Sequence, residues 1–231
     1  RQRRTPHPLI DFNLFRIPSF RTAIAANLLI SIVMAGLGLL AFTFLQSVHA
    51  MTPLQAALVA MPVFIGSLVG AIGASVFARI FRPRALMAAG MVVAAAGMAA
   101  IGLLSTGAHV ATFITGYTVL TLGAGMVSTL ASSQVLEAPA PQHTASAASI
   151  SETGITLGDA LGIALFGMAS STVYRSMLTE PDLPTEARET ITGALAQAEE
   201  LPAEPADALI ETATQAFTTG LTVVTLAAAI V

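Results

Sequence analysis

Long apolar runs alternate with short polar segments along the whole chain. About 20 apolar residues suffice for an α-helix to cross a bilayer. Five runs of that length lie at 22–45, 53–81, 85–104, 110–133 and 145–173. A sixth begins near 212, and we interpret 212–231 as its truncated start. The pattern therefore predicts an all-α, polytopic membrane protein with a six-helix transmembrane bundle.

The segments outside these runs differ in character from one another. Residues 1–21 hold five Arg and three Pro among apolar side chains, which predicts a cytoplasmic linker or an interfacial segment. Residues 176–211 hold nine of the 13 acidic residues, which predicts an extracytoplasmic acidic loop with a short surface helix inside it. Within the second run, Thr52 and Pro53 are typical of a helix start, and Pro62 predicts a kink.

Composition agrees with a membrane location. Hydrophobic residues make up 55% of the chain and charged residues only 10%, with a mean hydropathy of +0.78. Soluble domains usually carry about 25% charged residues. The chain contains no Cys, so a disulfide framework and a thiolate metal site are both excluded. We expect a multi-pass protein of the inner or plasma membrane.

The distribution of Arg predicts the orientation. Eight of the ten basic residues fall on the side where the chain starts, and the other two fall on the opposite side. Since cytoplasmic loops are enriched in Lys and Arg, the N-terminal segment is predicted to be cytoplasmic. Three spans then start inside and three start outside, which is the three-plus-three inverted plan of half a secondary transporter. The turn after the second span contains three of these basic residues, Arg79, Arg82 and Arg84, and by itself it is a topology signal.

The fifth run carries two carboxylates, Glu152 and Asp159. A charge at bilayer depth costs at least ~2.5 kcal/mol, so something must offset that cost. Seven residues are about two helical turns, so both acids share one face, about 10 Å apart, with Thr156 between them. On roughly the opposite side a small-residue stripe predicts close helix packing: Gly154, Gly158 and Gly162.

Two other runs contain polar residues that share a helix face. Asn27 and Ser31 lie four residues apart in the first run, and Thr121 and Ser128 lie seven apart in the fourth. Together with Thr156 they are candidates to line a cavity. The alternative for Asn27 is an interhelical hydrogen bond, and the alternative for the hydroxyl residues is a bond to their own backbone.

Six segments resemble the C-terminal six-helix half of the fourteen-span drug–proton antiporters of the major facilitator superfamily. In chain order they are PLIDFNLFR at 8–16, SFRTA at 19–23, TPLQAA at 52–57, RPR at 82–84, ASAASISETG at 145–154 and LGDALG at 157–162. The resemblance covers nearly the whole chain. It implies that the family's acidic position in the penultimate span corresponds to Glu152. Asp159 stands where the family usually has a small residue, a departure from the family pattern that bears on the substrate range. The resemblance also implies that the basic turn with Arg79, Arg82 and Arg84 anchors a cytoplasmic gate.

The resemblance implies a proton-coupled efflux transporter for small lipophilic or cationic substrates. Its partners would be membrane lipid and the N-terminal half of the same transporter, and it would use protons as coupling ion without any cofactor. Glu152 is then the candidate proton site and Asp159 the candidate cation contact. The polar face of the fourth run leaves open a second hypothesis, a major facilitator transporter for a specific polar metabolite.

Enzyme and nucleic-acid functions find little support. An intramembrane aspartyl protease remains only a remote alternative, because it needs two catalytic Asp on facing helices and the spans contain only Asp159. The His-Glu-x-x-His spacing of metalloproteases is absent, and the four His are isolated, which argues against a metal site. The Arg residues form no extended basic face, so nucleic-acid binding is not expected.

Overall fold

The computed structural model describes residues 12–104, 110–137, 143–178 and 184–230. It is all helical across these ranges, with a 3₁₀ turn at Phe12–Arg16 before the first long helix. The helices, in chain order, are α1 (Pro18–Thr43), α2 (Pro53–Val59), α3 (Met61–Phe77), α4 (Pro83–Leu104), α5 (Val110–Glu137), α6 (Thr144–Met177), α7 (Thr185–Glu189), α8 (Ile191–Ala198) and α9 (Ala203–Ile230). The predicted 105–109 loop, much of the 134–144 loop and most of the linker 1–21 lie outside the described residues.

Within the described ranges, six helical units are long and apolar enough to cross a membrane. The first joins α1 to a π-helical turn at Phe44–Val48, and the second joins α2 to α3. The other four are α4, α5, α6 and α9. The predicted all-α six-helix bundle of a multi-pass membrane protein is thus confirmed. The sixth unit begins at Ala203, ahead of the predicted start at 212, because the acidic first turns of α9 continue the helix beyond its apolar part.

The second unit starts where its sequence predicts, and its helix is interrupted two residues before Pro62. The Thr52 hydroxyl accepts a bond from the Gln55 amide, and the Gln55 side chain accepts one from the Thr52 amide, which completes a capping box. Ala60 interrupts the helix between α2 and α3. Pro62 lacks the amide that would continue the hydrogen-bond ladder through this point.

Helix packing repeats between the two halves of the bundle. In the first triplet (α1, α2–α3, α4) the first helix packs against α6, and in the second triplet (α5, α6, α9) the first helix packs against α3. The two first helices, α1 and α5, also contact each other, as do the two last helices, α4 and α9. In both triplets the first helix thus packs against the middle helix of the other triplet, as expected for two repeats of inverted topology.

Glycines bring the paired helices into backbone contact. A Cβ on Gly162 of α6 would collide with the Ile32 carbonyl of α1, and one on Gly70 of α3 would collide with the Leu122 carbonyl of α5. A Cβ on Gly158 would lie 2.7 Å from the Ser31 Cβ. The small-residue stripe predicted on α6 therefore packs against α1, although Gly154 lies in a looser part of the seam, 3.9 Å from Ile24.

Burial distinguishes the central helix from the most open one. Over its most apolar stretch α5 is 56% buried, whereas α6 is only 22% buried. The third span, α4, is therefore not the most open helix. Helix α4 is 39% buried, the same as α1, because it packs closely against α5.

The acidic segment forms a small helical cap over one end of the bundle. Helices α7 and α8 (residues 185–198, the cap) bury Ala187, Ile191, Ala194 and Ala198, and α8 packs on α9. The buried Tyr174 hydroxyl donates to the Ala187 carbonyl at 3.1 Å, which ties the cap to the end of α6. The Arg175–Glu189 ion pair, at 3.5 Å, is too exposed to contribute much. The predicted surface helix is thus two docked helices.

Candidate functional site

The two span carboxylates lie on the open side of α6. Ser151, Gly158 and Gly162 of the same helix are buried against the bundle, whereas Glu152 is exposed and Asp159 is half-buried. The glycine seam to α1 fixes which side of α6 is turned inward. Glu152, Thr156 and Asp159 therefore form one continuous face, which we call the acidic face.

Neither carboxylate is neutralised within the described part of the chain. No ion pair or side-chain hydrogen bond to Glu152 or Asp159 occurs among these residues. A charged group at bilayer depth without a partner is costly in lipid. The acidic face thus requires water, a ligand or another protein surface opposite to it.

A buried polar contact sits beside this face. The Asn27 amide of α1 donates to the Ser151 hydroxyl of α6 at 3.5 Å, and Asn27 is only 4% exposed. Ser31, one turn further along α1, packs against Gly158. The two candidates of the first span therefore lie in the α1–α6 seam, next to the acidic face.

The remaining candidates occupy different places. The Thr156 hydroxyl is exposed and donates to its own helix, to the Glu152 carbonyl at 3.0 Å. Thr121 is 1% exposed and donates to the Val63 carbonyl of α3 at 2.7 Å, inside the α3–α5 seam. Ser128 is exposed on α5. The structure thus brings Asn27 and Ser31 close to the acids and keeps Thr121 apart from them.

The basic turn lies at the end of the bundle where α1 begins. Arg79, Arg82 and Arg84 are all exposed, and within the described ranges no carboxylate pairs with them. Ile80 and Phe81, between them, are exposed as well. The turn is an uncompensated basic and apolar edge, at the opposite end of the bundle from the cap.

Two cavities flank the α1–α6 seam. One, of about 630 Å³, is lined by apolar side chains of α1, α4, α5, α6 and α9, such as Met98 and Phe166. The other, of about 560 Å³, is an open groove bounded by the later half of α1, Ile163 of α6 and Thr192 of α8. We call it the α1–α8 groove. No sequence pattern reveals this groove, because only tertiary packing brings the cap beside α1.

Comparison with known proteins places these features in a family. The sequence model of the Major Facilitator Superfamily matches residues 1–163. That match covers five of the six membrane-length units in part or whole, including the acidic face.

Two curated relatives match along almost the whole chain. The multidrug efflux pump LfrA of Mycolicibacterium smegmatis is 32% identical over 226 residues, which are 96% of this chain and 45% of the relative. The methyl viologen resistance protein SmvA of Salmonella typhimurium is 28% identical over 221 residues, which are 92% of this chain and 44% of the relative. The chain thus spans less than half the length of these relatives.

Proposed function

The chain belongs to the Major Facilitator Superfamily, and from this we propose that it is the C-terminal six-helix half of a proton-coupled exporter of lipophilic cations. The other half of the transport unit would be an N-terminal six-helix bundle facing the acidic face. The observation that carries the proposal is the pair Glu152 and Asp159 on the exposed side of α6, which has no side-chain partner among the described residues.

A carboxylate on a cleft wall can exchange a proton for a cationic ligand. When the cleft is closed to water, desolvation favours the neutral, protonated acid, and when a cation enters, Coulomb attraction favours the carboxylate. One acid therefore releases its proton as the drug binds and recovers a proton after the drug leaves. This cycle couples export to the proton gradient and needs no cofactor.

The positions of the two acids along α6 suggest different roles. Glu152 lies nearer the end that carries the basic turn, and Asp159 lies about 10 Å further along, close to the middle of the helix. Coulomb attraction is least screened at mid-bilayer. We assign proton binding to Glu152 and contact with the cationic group of the substrate to Asp159.

The same proposal orients the protein. With Arg16, Arg21 and the basic turn at one end, that end faces the cytoplasm, and the cap faces the exterior. Arg79, Arg82 and Arg84 would then serve a cytoplasmic gate or hold the turn at anionic headgroups. An exposed Arg with no carboxylate partner suits either contact.

The names of both relatives support drug-like cations over a specific polar metabolite. LfrA is named as a multidrug efflux pump and SmvA as a methyl viologen resistance protein. The metabolite hypothesis relied on the polar face of α5. Two hydroxyls there, those of Thr118 and Thr121, already donate to backbone carbonyls. They are therefore less available to a polar solute.

The test uses the whole transporter in proteoliposomes. We expect an imposed proton gradient to drive saturable transport of tetraphenylphosphonium. Transport that persists without a proton gradient would contradict the coupling, and transport only of neutral polar solutes would favour the metabolite hypothesis. The described bundle alone is expected not to transport, since alternating access needs two units moving about a shared site.

A further inference from the structure

We propose that the α1–α8 groove is a second, charge-free ligand site on the exit side of the transport path. This inference rests on the proposed function and adds to it a site, a residue from the cap and the class of ligand bound. Its ligand would be the aromatic part of the transported cation.

The groove continues the acidic face. Ile163, which forms its α6 wall, follows Asp159 by four residues and so lies on the same helix face, about 6 Å further toward the cap. A molecule that leaves Asp159 in this direction reaches the groove next. The site therefore lies between the acidic face and the exterior.

The lining has the composition of an amphipathic ligand site. Phe42 and Ile163 offer exposed apolar surface, with 38% and 49% of their area accessible. Gln46 and Ser47 lie at the rim, and neither side chain has a hydrogen-bond partner among the described residues. A volume of about 560 Å³ falls within the range of pockets that take drug-sized molecules.

The cap completes the site. Thr192, in the first turn of α8, is a lining residue, and its hydroxyl donates to Thr190 at 3.3 Å while its oxygen stays free to accept. The cap is held by buried apolar side chains and by the Tyr174 bond to Ala187. Because these contacts fix α8 over the end of α1, the acidic segment acts as a wall of the groove.

The absence of charge within the groove gives it a distinct role. The described side chains that line it include no acid and no base. A cation there would lie further from the acids, would feel less of the Coulomb attraction of the acidic face, and would be held mainly by apolar and hydrogen-bond contacts. The site would hold the ligand weakly and let it dissociate outward. It would also bind a neutral analogue about as well as the cation.

Substrate protection of an introduced thiol tests this directly. The chain contains no Cys, so Thr192→Cys or Gln46→Cys places one thiol in this half of the full-length transporter, with any cysteine elsewhere replaced first. The matched control is Ala196→Cys, one turn further along α8, exposed and outside the groove. A membrane-impermeant methanethiosulfonate is the labelling reagent.

We expect tetraphenylphosphonium, at twice its dissociation constant for the groove, to slow labelling of the two groove thiols about threefold. This factor is 1 + [L]/Kd for a site whose occupied form does not react. Labelling of the Ala196→Cys control should stay unchanged. Triphenylphosphine oxide, which keeps three of the four phenyl groups and carries no net charge, should protect the groove thiols comparably. Protection should persist when Asp159→Asn is added, which separates occupancy of the groove from binding at the acidic face.

Transport by the same variants separates this proposal from the proposed function. If the variants transport the cation but the cation does not slow labelling of the groove thiols, the exit site is wrong and the proposed exporter function is unaffected. Protection without transport would support the groove as a cation site and count against proton-coupled export. If tetraphenylphosphonium slows labelling but triphenylphosphine oxide does not, and if this protection disappears in the Asp159→Asn background, the groove is not a charge-free site.

Discussion

Asn27 and Ser151 meet across the α1–α6 seam, where the Asn27 amide donates to the Ser151 hydroxyl at 3.5 Å. Both side chains are buried, and Ser151 immediately precedes Glu152. Successive helix residues are about 100° apart. A polar contact that holds Ser151 inward therefore keeps Glu152 turned toward the open side of the bundle.

The first prediction concerns the strength of this contact. In a double-mutant cycle of Asn27→Ala and Ser151→Ala, we expect a coupling free energy of about 0.6 kcal/mol, the average for interhelical hydrogen bonds measured in this way in a membrane protein, and at most about 1.7 kcal/mol. The measurement is reversible unfolding in mixed micelles. Ser149→Ala serves as control, because Ser149 is exposed and bonds only its own helix. A coupling energy near zero would show that packing alone sets the rotation of α6.

Glu152→Gln is expected to abolish proton-coupled transport in the complete protein and to retain part of the substrate binding. Gln keeps the size and hydrogen-bonding capacity of Glu but does not titrate. The measurement is substrate-induced proton release in proteoliposomes, normalised to folded protein. Coupling at the wild-type level would remove Glu152 from the mechanism.

Asp159→Asn should weaken the binding of cations more than that of neutral substrates. Removing one charge about 4 Å from a ligand cation, at an effective dielectric of about 20, costs at most about 4 kcal/mol, and a measured loss of tenfold or more in cation affinity would agree. Neutral analogues provide the internal control. Equal losses for both classes would exclude charge recognition by this residue.

Two glycines of α6 should respond in opposite directions to the same substitution. Gly162→Ala places a methyl group against the Ile32 carbonyl, and overpacking of this kind costs about 1–3 kcal/mol. Gly167 has open space where its Cβ would lie, so Gly167→Ala should be neutral or stabilise the helix by up to about 1 kcal/mol. Unfolding free energies of the two variants give the comparison. Equal effects would mean that the seam is looser than its backbone contacts indicate.

His49, just beyond the first membrane unit, should make stability depend on pH. Burial lowers the pKa of His49 below its usual 6.5. The unfolded chain then binds the proton more readily, so the free energy of unfolding should fall as the pH drops below about 6.5. His49 packs edge-on against Phe44, with ring centroids 4.9 Å apart, and its Nε2 has no hydrogen-bond partner in the described structure.

The check on this prediction is unfolding at about pH 7.5 and about pH 5.5, above the range where carboxylates titrate. In His49→Gln the difference in unfolding free energy between the two pH values should shrink. An unchanged difference would assign the pH dependence to other groups.

Much of the fold and part of the site follow from local patterns. The free energy of transfer into lipid is summed residue by residue, so apolar runs alone identify the membrane-length helices. The spacing of Glu152 and Asp159 places them on one face of any helix, whatever surrounds it. Thr52 and Gln55 form their capping box from residues three apart.

The partners of each face required the tertiary structure. Thr121 and Asn27 both stood as cavity-lining candidates, yet one bonds the Val63 carbonyl in the α3–α5 seam and the other meets Ser151 beside the acidic face. Periodicity shows that two residues share a side of a helix but not which helix that side meets.

The cap shows the same difference between what the sequence predicts and what tertiary contacts decide. Its acidic composition predicts solvent exposure, and it is exposed on its outer side. Its docking through Ala187 and Ile191, which brings Thr192 to a groove on α1, depends on contacts between residues far apart in the chain. The sequence by itself determined which segments enter the membrane, because hydrophobic transfer is a local property. Only the tertiary structure decided which polar groups face one another, because that depends on the backbone contacts that the glycine seams allow.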